Sequence, residues 1–232
     1  MTEKLKFIFL LDFKVTFSYV SEVVGICLKE KSSIVVNTIN AHSYVMQKNN
    51  HLFKESLKNS NILIPDGSGI VLASKLILNK SIKKVSGYDL FIETMKQLDK
   101  KGKSVFFLGS SSHVLNKIKE RIEIEYPNIR HAYLSPSFKD KFSNEDCEEF
   151  IYEINKFEPD VVFVGLTAPK QELLINQIHK EINVSFISGI GAVFDFYGMT
   201  IKRPNKLFIF MHLEWLGRFI QNPRKMFNRV FI

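Results

Sequence analysis

Short apolar runs, separated by stretches of helical spacing, constrain this chain more than any other feature. Ile34–Val36, Leu63–Ile64, Lys103–Leu108, Val161–Val164 and Val184–Ser188 are dominated by β-branched and aromatic residues. Strands of near-continuous apolar character need cover on both faces, and strands alternating with helices pair in parallel. Between them, residues 41–60 carry Tyr44, Val45, Leu52, Phe53 and Leu57 at helical spacing. Further helices are expected over 69–79, from Gly87 to about Lys101, from Ser112 to about Tyr126, over 143–157 with Ser143 as cap, and over 170–181. A short strand is expected at 131–134. The pattern predicts an α/β fold, a Rossmann-like parallel sheet with helices on both faces.

The chain of 232 residues is 45% hydrophobic, enough to bury a real core. Length and pattern place one α/β domain over residues 1–200, followed by an appendage over 201–232. The net charge of +8 is concentrated in that appendage. Lys202, Arg203, Lys206, Arg218, Arg224, Lys225 and Arg229 face only Glu214 there, while the other 200 residues carry 25 basic and 23 acidic groups. A basic tail on a near-neutral body points to an anionic partner. From Lys206 to Ile220 a helix would carry Leu207, Phe208, Phe210, Met211, Leu213, Trp215 and Phe219, until Pro223 breaks it. Such a segment suits either a membrane interface or a helix packed on the core. Nucleic acid is not expected, because the body offers no aromatic–basic platform.

No stretch reaches the ~18 apolar residues of a spanning helix. The run Phe7–Leu11 is short and lacks a small-residue cleavage site, so no signal peptide is expected. Cys27 and Cys147 form no CxxC and read as reduced thiols of a cytoplasmic protein. His42, His51, His113, His131, His179 and His212 show no HxH or HExxH spacing, and no DxD pair occurs, so no metal is expected.

Ligands in open parallel sheets bind beyond the carboxyl ends of the strands. Here those ends carry Thr38 and Asn40, Asp66, Gly109 to Ser112, Thr167 to Gln171, and Gly189 to Asp195. Ile62-Leu63-Ile64-Pro65-Asp66-Gly67-Ser68-Gly69 delivers one carboxylate at a tight turn. Asp66 there is either a general base or the N-cap of the following helix. Gly109-Ser110-Ser111-Ser112 is either a phosphate cradle or a serine-capped turn. Gln171 and Glu172 are either hydrogen-bonding groups for sugar hydroxyls or exposed positions of a helix start. Gly189-Ile-Gly191-Ala-Val-Phe194 has Phe where a dinucleotide fingerprint has its third glycine, which argues against a nicotinamide enzyme. No GxxxxGK[ST] loop is present.

Taken in order, Pro65-Asp66-Gly67-x-Gly69, Gly87-x-Asp89-Leu90, Phe107-Leu108-Gly109, Gly165-x-x-x-Pro169-x-Gln171-Glu172, Gly189-x-Gly191-x-x-Phe194-Asp195 and Leu213-Glu214-Trp215 resemble the WecG/TagA/CpsF glycosyltransferase family from about Ile34 to Arg229. The resemblance implies a metal-independent, inverting transferase without a cofactor. It would move a sugar from a UDP donor to a polyprenyl-diphosphate-linked sugar, in teichoic acid, capsule or common-antigen synthesis. N-acetylmannosamine, its uronic acid and glucose are the implied donors. The implied place is the cytoplasmic face of the bacterial plasma membrane. Asp66 matches the general base, Thr38 and Asn40 the pair beside it, and Gln171 and Glu172 the family's Gln-Glu; Gly109 lies in the implied donor site. Arg203, Arg218, Arg224 and Arg229 of the tail are implied contacts to diphosphate or lipid headgroups. Lys84 stands where the family usually has arginine, and a lysine cannot reproduce a bidentate guanidinium clamp. Arg203-Pro204-Asn205 and His212 also depart from the family pattern. The alternative is a nucleotide-sugar-binding module without catalysis. Monomer, dimer and trimer all remain compatible with the sequence.

Overall fold

The computed structural model describes residues 5–29 and 31–201. The tail beyond Ile201, with the helix expected over 206–220 and Arg203, Arg218, Arg224 and Arg229, lies outside them.

The first element is a hairpin of β1 (Phe7–Leu10) and β2 (Phe13–Thr16), followed by α1 (Val20–Cys27). Then come β3 (Ile34–Ile39), α2 (Ala41–Met46), a 3-10 turn (Gln47–Asn49), α3 (His51–Lys58), β4 (Ile62–Pro65), α4 (Ser68–Leu78) and α5 (Gly87–Lys101). The second half runs β5 (Ser104–Gly109), α6 (Ser112–Glu125), β6 (Arg130–Leu134), α7 (Asn144–Phe157), β7 (Val161–Gly165), α8 (Lys170–Ile178), β8 (Phe186–Gly189) and α9 (Val193–Tyr197). The six strands β3 to β8 form one parallel sheet in the order β4-β3-β8-β7-β5-β6. This is the expected α/β architecture.

Alternation along the strands sorts side chains to two layers. Val105, Phe107, Val161, Phe163 and Phe186 face α1, α5, α6 and α9, where Phe91, Phe107, Phe163 and Phe194 build an aromatic core. Phe106, Leu108, Val162, Val164 and Ile187 face α7 and α8 in a mainly aliphatic layer. A third cluster joins the hairpin to α3, α4 and the ends of β3 and β4 through Phe13, Val15, Ile39, Phe53, Leu63 and Ile70. Both cysteines are buried in these layers, and burial pushes the Cys27 thiol up to about 12.

One expected helix is corrected. Residues 41–60 are not continuous, because Asn50 is extended (φ −138°) and its side chain accepts the Phe53 N–H at 3.0 Å, starting α3 anew. The hairpin and α1 carry no sequence signal of the usual kind. The hairpin turn uses Leu11 and Asp12, both at positive φ (52° and 68°), in place of the Asn-Gly such turns favour. Tyr19 caps α1 without a capping side chain of the Ser/Thr/Asp/Asn type, while Glu22 accepts its N–H at 3.2 Å.

Candidate active site

The parallel register brings β3 and β4 to the same height, with Thr38 opposite Ile64 and Ile39 opposite Pro65. The Asp66 N–H donates to the Ile39 carbonyl at 2.8 Å, which carries the ladder one step further and sets Asp66 beside Asn40. Gly67 then takes φ +84°, and a Cβ on Gly69 would come within 3.0 Å of the Ala41 Cβ. The two glycines thus let the turn after Asp66 lie directly on the start of α2. The N-cap of α4 is Gly67, one residue past Asp66. Asp66, Thr38 and Asn40 are all half-buried.

Asn40 is partly committed to structure. Its Oδ1 accepts the Ser43 N–H at 2.9 Å, capping α2, and its own N–H donates to Ser43 Oγ at 2.8 Å. Lys84 belongs to the segment between α4 and α5. The Val85 N–H donates to the Pro65 carbonyl at 3.0 Å, so Lys84 is held next to the turn that carries Asp66.

Gln171 and Glu172 lie in the first turn of α8, which is preceded by Pro169 at the N-cap. They are not exposed: 6% and 4% of their surfaces reach solvent. The Gly191 N–H donates to Gln171 Oε1 at 2.9 Å, and Gln171 Nε2 donates to Glu172 Oε1 at 2.9 Å. A Cβ on Gly189 would meet the Gln171 Cδ at 2.9 Å, so the amide occupies the space that glycine leaves open. Burial holds the Glu172 carboxyl above the usual carboxylate range, although the Gln171 amide and its own backbone N–H oppose the shift.

Asn37 carries no motif, yet it joins this network. It is buried in β3, donates from Nδ2 to Ser60 Oγ at 3.0 Å, and accepts the Gly189 N–H at 3.4 Å. A polar residue inside an apolar strand was the signal available for it.

Gly109 and its serines sit farther along the rim. At about 4.8 Å per strand, β4 and β8 are about 10 Å apart across the sheet, and β4 and β5 about 19 Å. Gly109 has φ +116°, and a Cβ there would lie 2.8 Å from the Gly165 carbonyl oxygen. Ser111 caps α6 by accepting the Val114 N–H at 3.3 Å, so the turn is serine-capped. Other motif residues are architectural. Asp89 accepts the Ser86 N–H and Oγ–H at 2.8 and 2.7 Å, closing a capping box on α5. The Asp195 carbonyl accepts the Thr200 N–H at 3.0 Å and ends α9. Among the described residues, no group of three or more His, Cys, Asp or Glu side chains is placed to hold a metal, and no helix is long and apolar enough to cross a membrane.

The site is therefore a polar rim over β4, β3 and β8, with one carboxylate at its edge and a fixed amide at its centre. The family model described as glycosyl transferase WecG/TagA/CpsF matches residues 9–232. The chain belongs to this glycosyltransferase family. Among its relatives, an N-acetylglucosaminyldiphosphoundecaprenol N-acetyl-beta-D-mannosaminyltransferase of Bacillus spizizenii is 31% identical over 208 residues, 90% of this chain and 79% of the relative. The protein of that name from Bacillus subtilis is 31% identical over 196 residues, 84% and 75% of the two chains. One from Staphylococcus aureus is 24% identical over 174 residues, 75% and 66%. Within this family assignment, the ordered motifs divide into rim residues (Asp66, Gln171) and residues that shape the sheet edge (Gly87, Asp89, Gly109, Gly165, Phe194); Thr38 and Lys84, outside those motifs, lie beside Asp66.

Proposed function

We propose that this glycosyltransferase moves a sugar from a UDP donor to a polyprenyl-diphosphate-linked sugar with inversion, using Asp66 as general base. The position of Asp66 carries the reading: a half-buried carboxylate fixed by the β3–β4 register, beside Thr38 and Asn40, on a strand separated by β3 alone from the one that leads to Gly191. In this mechanism Asp66 takes the proton of the acceptor hydroxyl as its oxygen attacks the anomeric carbon. The bond from that carbon to the diphosphate breaks, and UDP leaves with the electron pair. The names of the relatives favour N-acetylmannosamine as donor sugar and an N-acetylglucosaminyl lipid as acceptor, hence teichoic-acid linkage synthesis.

Charge on the leaving diphosphate calls for cations and helix N-termini. Lys84 is held at the edge of the site, and the α6 turn at Gly109–Ser112 would take the nucleotide end. The tail is the further source of cations. The last described residues pack on α6: Tyr197 is buried, donates to Glu125 Oε2 at 2.9 Å and lies under the Arg121 guanidinium. A Cβ on the next residue, Gly198, would lie 3.4 Å from the Val114 carbonyl, in the first turn of α6. Under this proposal Arg203, Arg218, Arg224 and Arg229 meet diphosphate or lipid headgroups. In this reading residues 201–232 are the membrane-facing appendage of a peripheral protein on the inner face of the plasma membrane.

The test is a transfer assay with a panel of UDP-sugars and a short-chain polyprenyl-diphosphate N-acetylglucosamine acceptor, with EDTA present. Wild type is expected to form product, and Asp66→Asn to lose about a thousandfold in kcat. Equal turnover by both removes Asp66 as base. Absence of product and of UDP release from either would favour a binding module.

A further inference from the structure

Glu172 is the only acid in the buried class among the described residues. One of its oxygens accepts the Gln171 amide; the other, Oε2, is buried without a hydrogen-bond partner. A carboxyl placed so deeply costs stability unless it is protonated or does something else. Burial, the largest influence on it, favours the neutral acid, whose carbonyl still accepts a hydrogen bond.

The geometry shows what this carboxyl controls. The Gly191 N–H is a donor, so the Gln171 oxygen must face it. The Gln171 nitrogen then points the other way and needs an acceptor, which Glu172 Oε1 provides. Backbone on one side and carboxyl on the other determine the orientation of the amide, in the space left by the missing Gly189 Cβ. One of the two Nε2 hydrogens is used by Glu172, and the amide has a second to donate.

We infer that Glu172 is a positioning residue for sugar transfer: acting through Gln171, it presents the remaining amide N–H to an oxygen of the bound nucleotide-sugar. The inference rests on the transferase reading and names a residue that supports the reaction without touching substrate. A helix-start glutamate kept only for its charge would be exposed; this one is buried against a side chain of the rim.

The test combines kinetics with a spectroscopic readout on the full chain. Glu172→Ala is expected to lower kcat about tenfold through misplacement of the donor, with the donor KM changed by less than about twofold. Glu172→Gln keeps an uncharged acceptor of the same shape and is expected to restore most of the rate. The double variant Gln171→Ala/Glu172→Ala should lose no more than Gln171→Ala alone, because both act through one amide. In 1H–15N spectra the Gln171 side-chain NH2 pair, assigned by its loss in Gln171→Ala, should shift in Glu172→Ala and stay near its place in Glu172→Gln. Additive losses, or an unmoved Gln171 pair in Glu172→Ala, would overturn the inference. Should Glu172→Ala not fold, a Gln171 pair displaced in Glu172→Gln, with turnover as low as that of Gln171→Ala, overturns it as well. If wild type shows no transfer at all, the transferase reading fails, and the NMR arm still decides whether Glu172 orients Gln171.

Discussion

Two neighbouring strands, β7 and β8, each end in a glycine that makes room for a side chain from elsewhere, and they make opposite use of it. At Gly165 the occupant is Phe194 of α9: a Cβ would lie 2.2 Å from its ring, which in turn packs edge-on against Phe107 at 5.6 Å. At Gly189 the occupant is the Gln171 amide of α8, from the other face of the sheet. The helices after β5 and β8 pack on one face of the sheet and the helix after β7 on the other, so the two glycines are approached from opposite faces. The space at Gly165 is filled with an aromatic ring and that at Gly189 with a hydrogen-bonding group. A glycine at a strand end therefore says that something approaches closely; what approaches decides between packing and chemistry.

The largest effect expected from this contrast is at Gly165. The Phe194 ring is buried and rigid, so Gly165→Ala overpacks the site and should cost about 3 kcal/mol. For a domain of this size that lowers the thermal midpoint by roughly 10 °C. Phe194→Ala should cost less in the Gly165→Ala background than in wild type, because the added methyl occupies part of the same space. An unchanged midpoint in Gly165→Ala would show that Phe194 can swing away and that the two glycines are not comparable.

Gly189→Ala should act on activity more than on stability. Its methyl meets the far end of a flexible side chain, at 2.9 Å from Cδ and 3.0 Å from Nε2, so Gln171 can move aside. The cost is the Gly191 hydrogen bond and the amide's orientation. A drop of about tenfold in kcat is expected, with less than about 1.5 kcal/mol of stability lost. If the variant is instead as unstable as Gly165→Ala with normal specific activity, Gln171 is packing and not site.

Much of this architecture was legible because local signals agreed with the global fold. α7 announces itself through its Ser143 cap, and α5 begins at Gly87 as expected; both are closed by capping boxes, Ser143 with Asp146 and Ser86 with Asp89. Asp66 was legible because a strand, a proline and two glycines frame it. The hairpin was not, since Leu11 and Asp12 enter positive φ without glycine. Nor was the depth of Gln171 and Glu172. Their burial depends on Gly189, which lies far along the chain and meets them only after β8 inserts between β3 and β7. Asn37 was hidden for the same reason: its acceptor role exists only once the Gly189 N–H lies beside it. Spacing reveals faces of an element; it does not reveal which distant glycine opens a space.

The smallest expected effect comes from the opposite edge of the sheet, which supplies the control. Asp160 precedes β7 at the amino ends of the strands, where its carboxylate accepts from Lys103 Nζ at 2.6 Å and from the Ser104 N–H and Oγ–H at 2.9 and 3.0 Å. Burial alone would raise its pKa, but Lys103 and Ser104 outweigh it and hold the carboxyl below its ordinary value. A carboxylate whose folded pKa is depressed adds stability that is present above the unfolded pKa, near 3.9, and lost as pH falls through the lower folded value. Asp160→Asn should therefore destabilise the domain by on the order of 1 kcal/mol at neutral pH, allowing for solvent screening of a partly exposed group. The gap to wild type should close below about pH 4 in denaturant titrations. Transfer activity at neutral pH should stay unchanged, because ligands in this type of fold bind beyond the carboxyl ends of the strands. A loss of kcat in Asp160→Asn comparable to that of Gly189→Ala would mean that the two edges are coupled through β7 and β8, and that the amide at the rim is only as well placed as the strands beneath it.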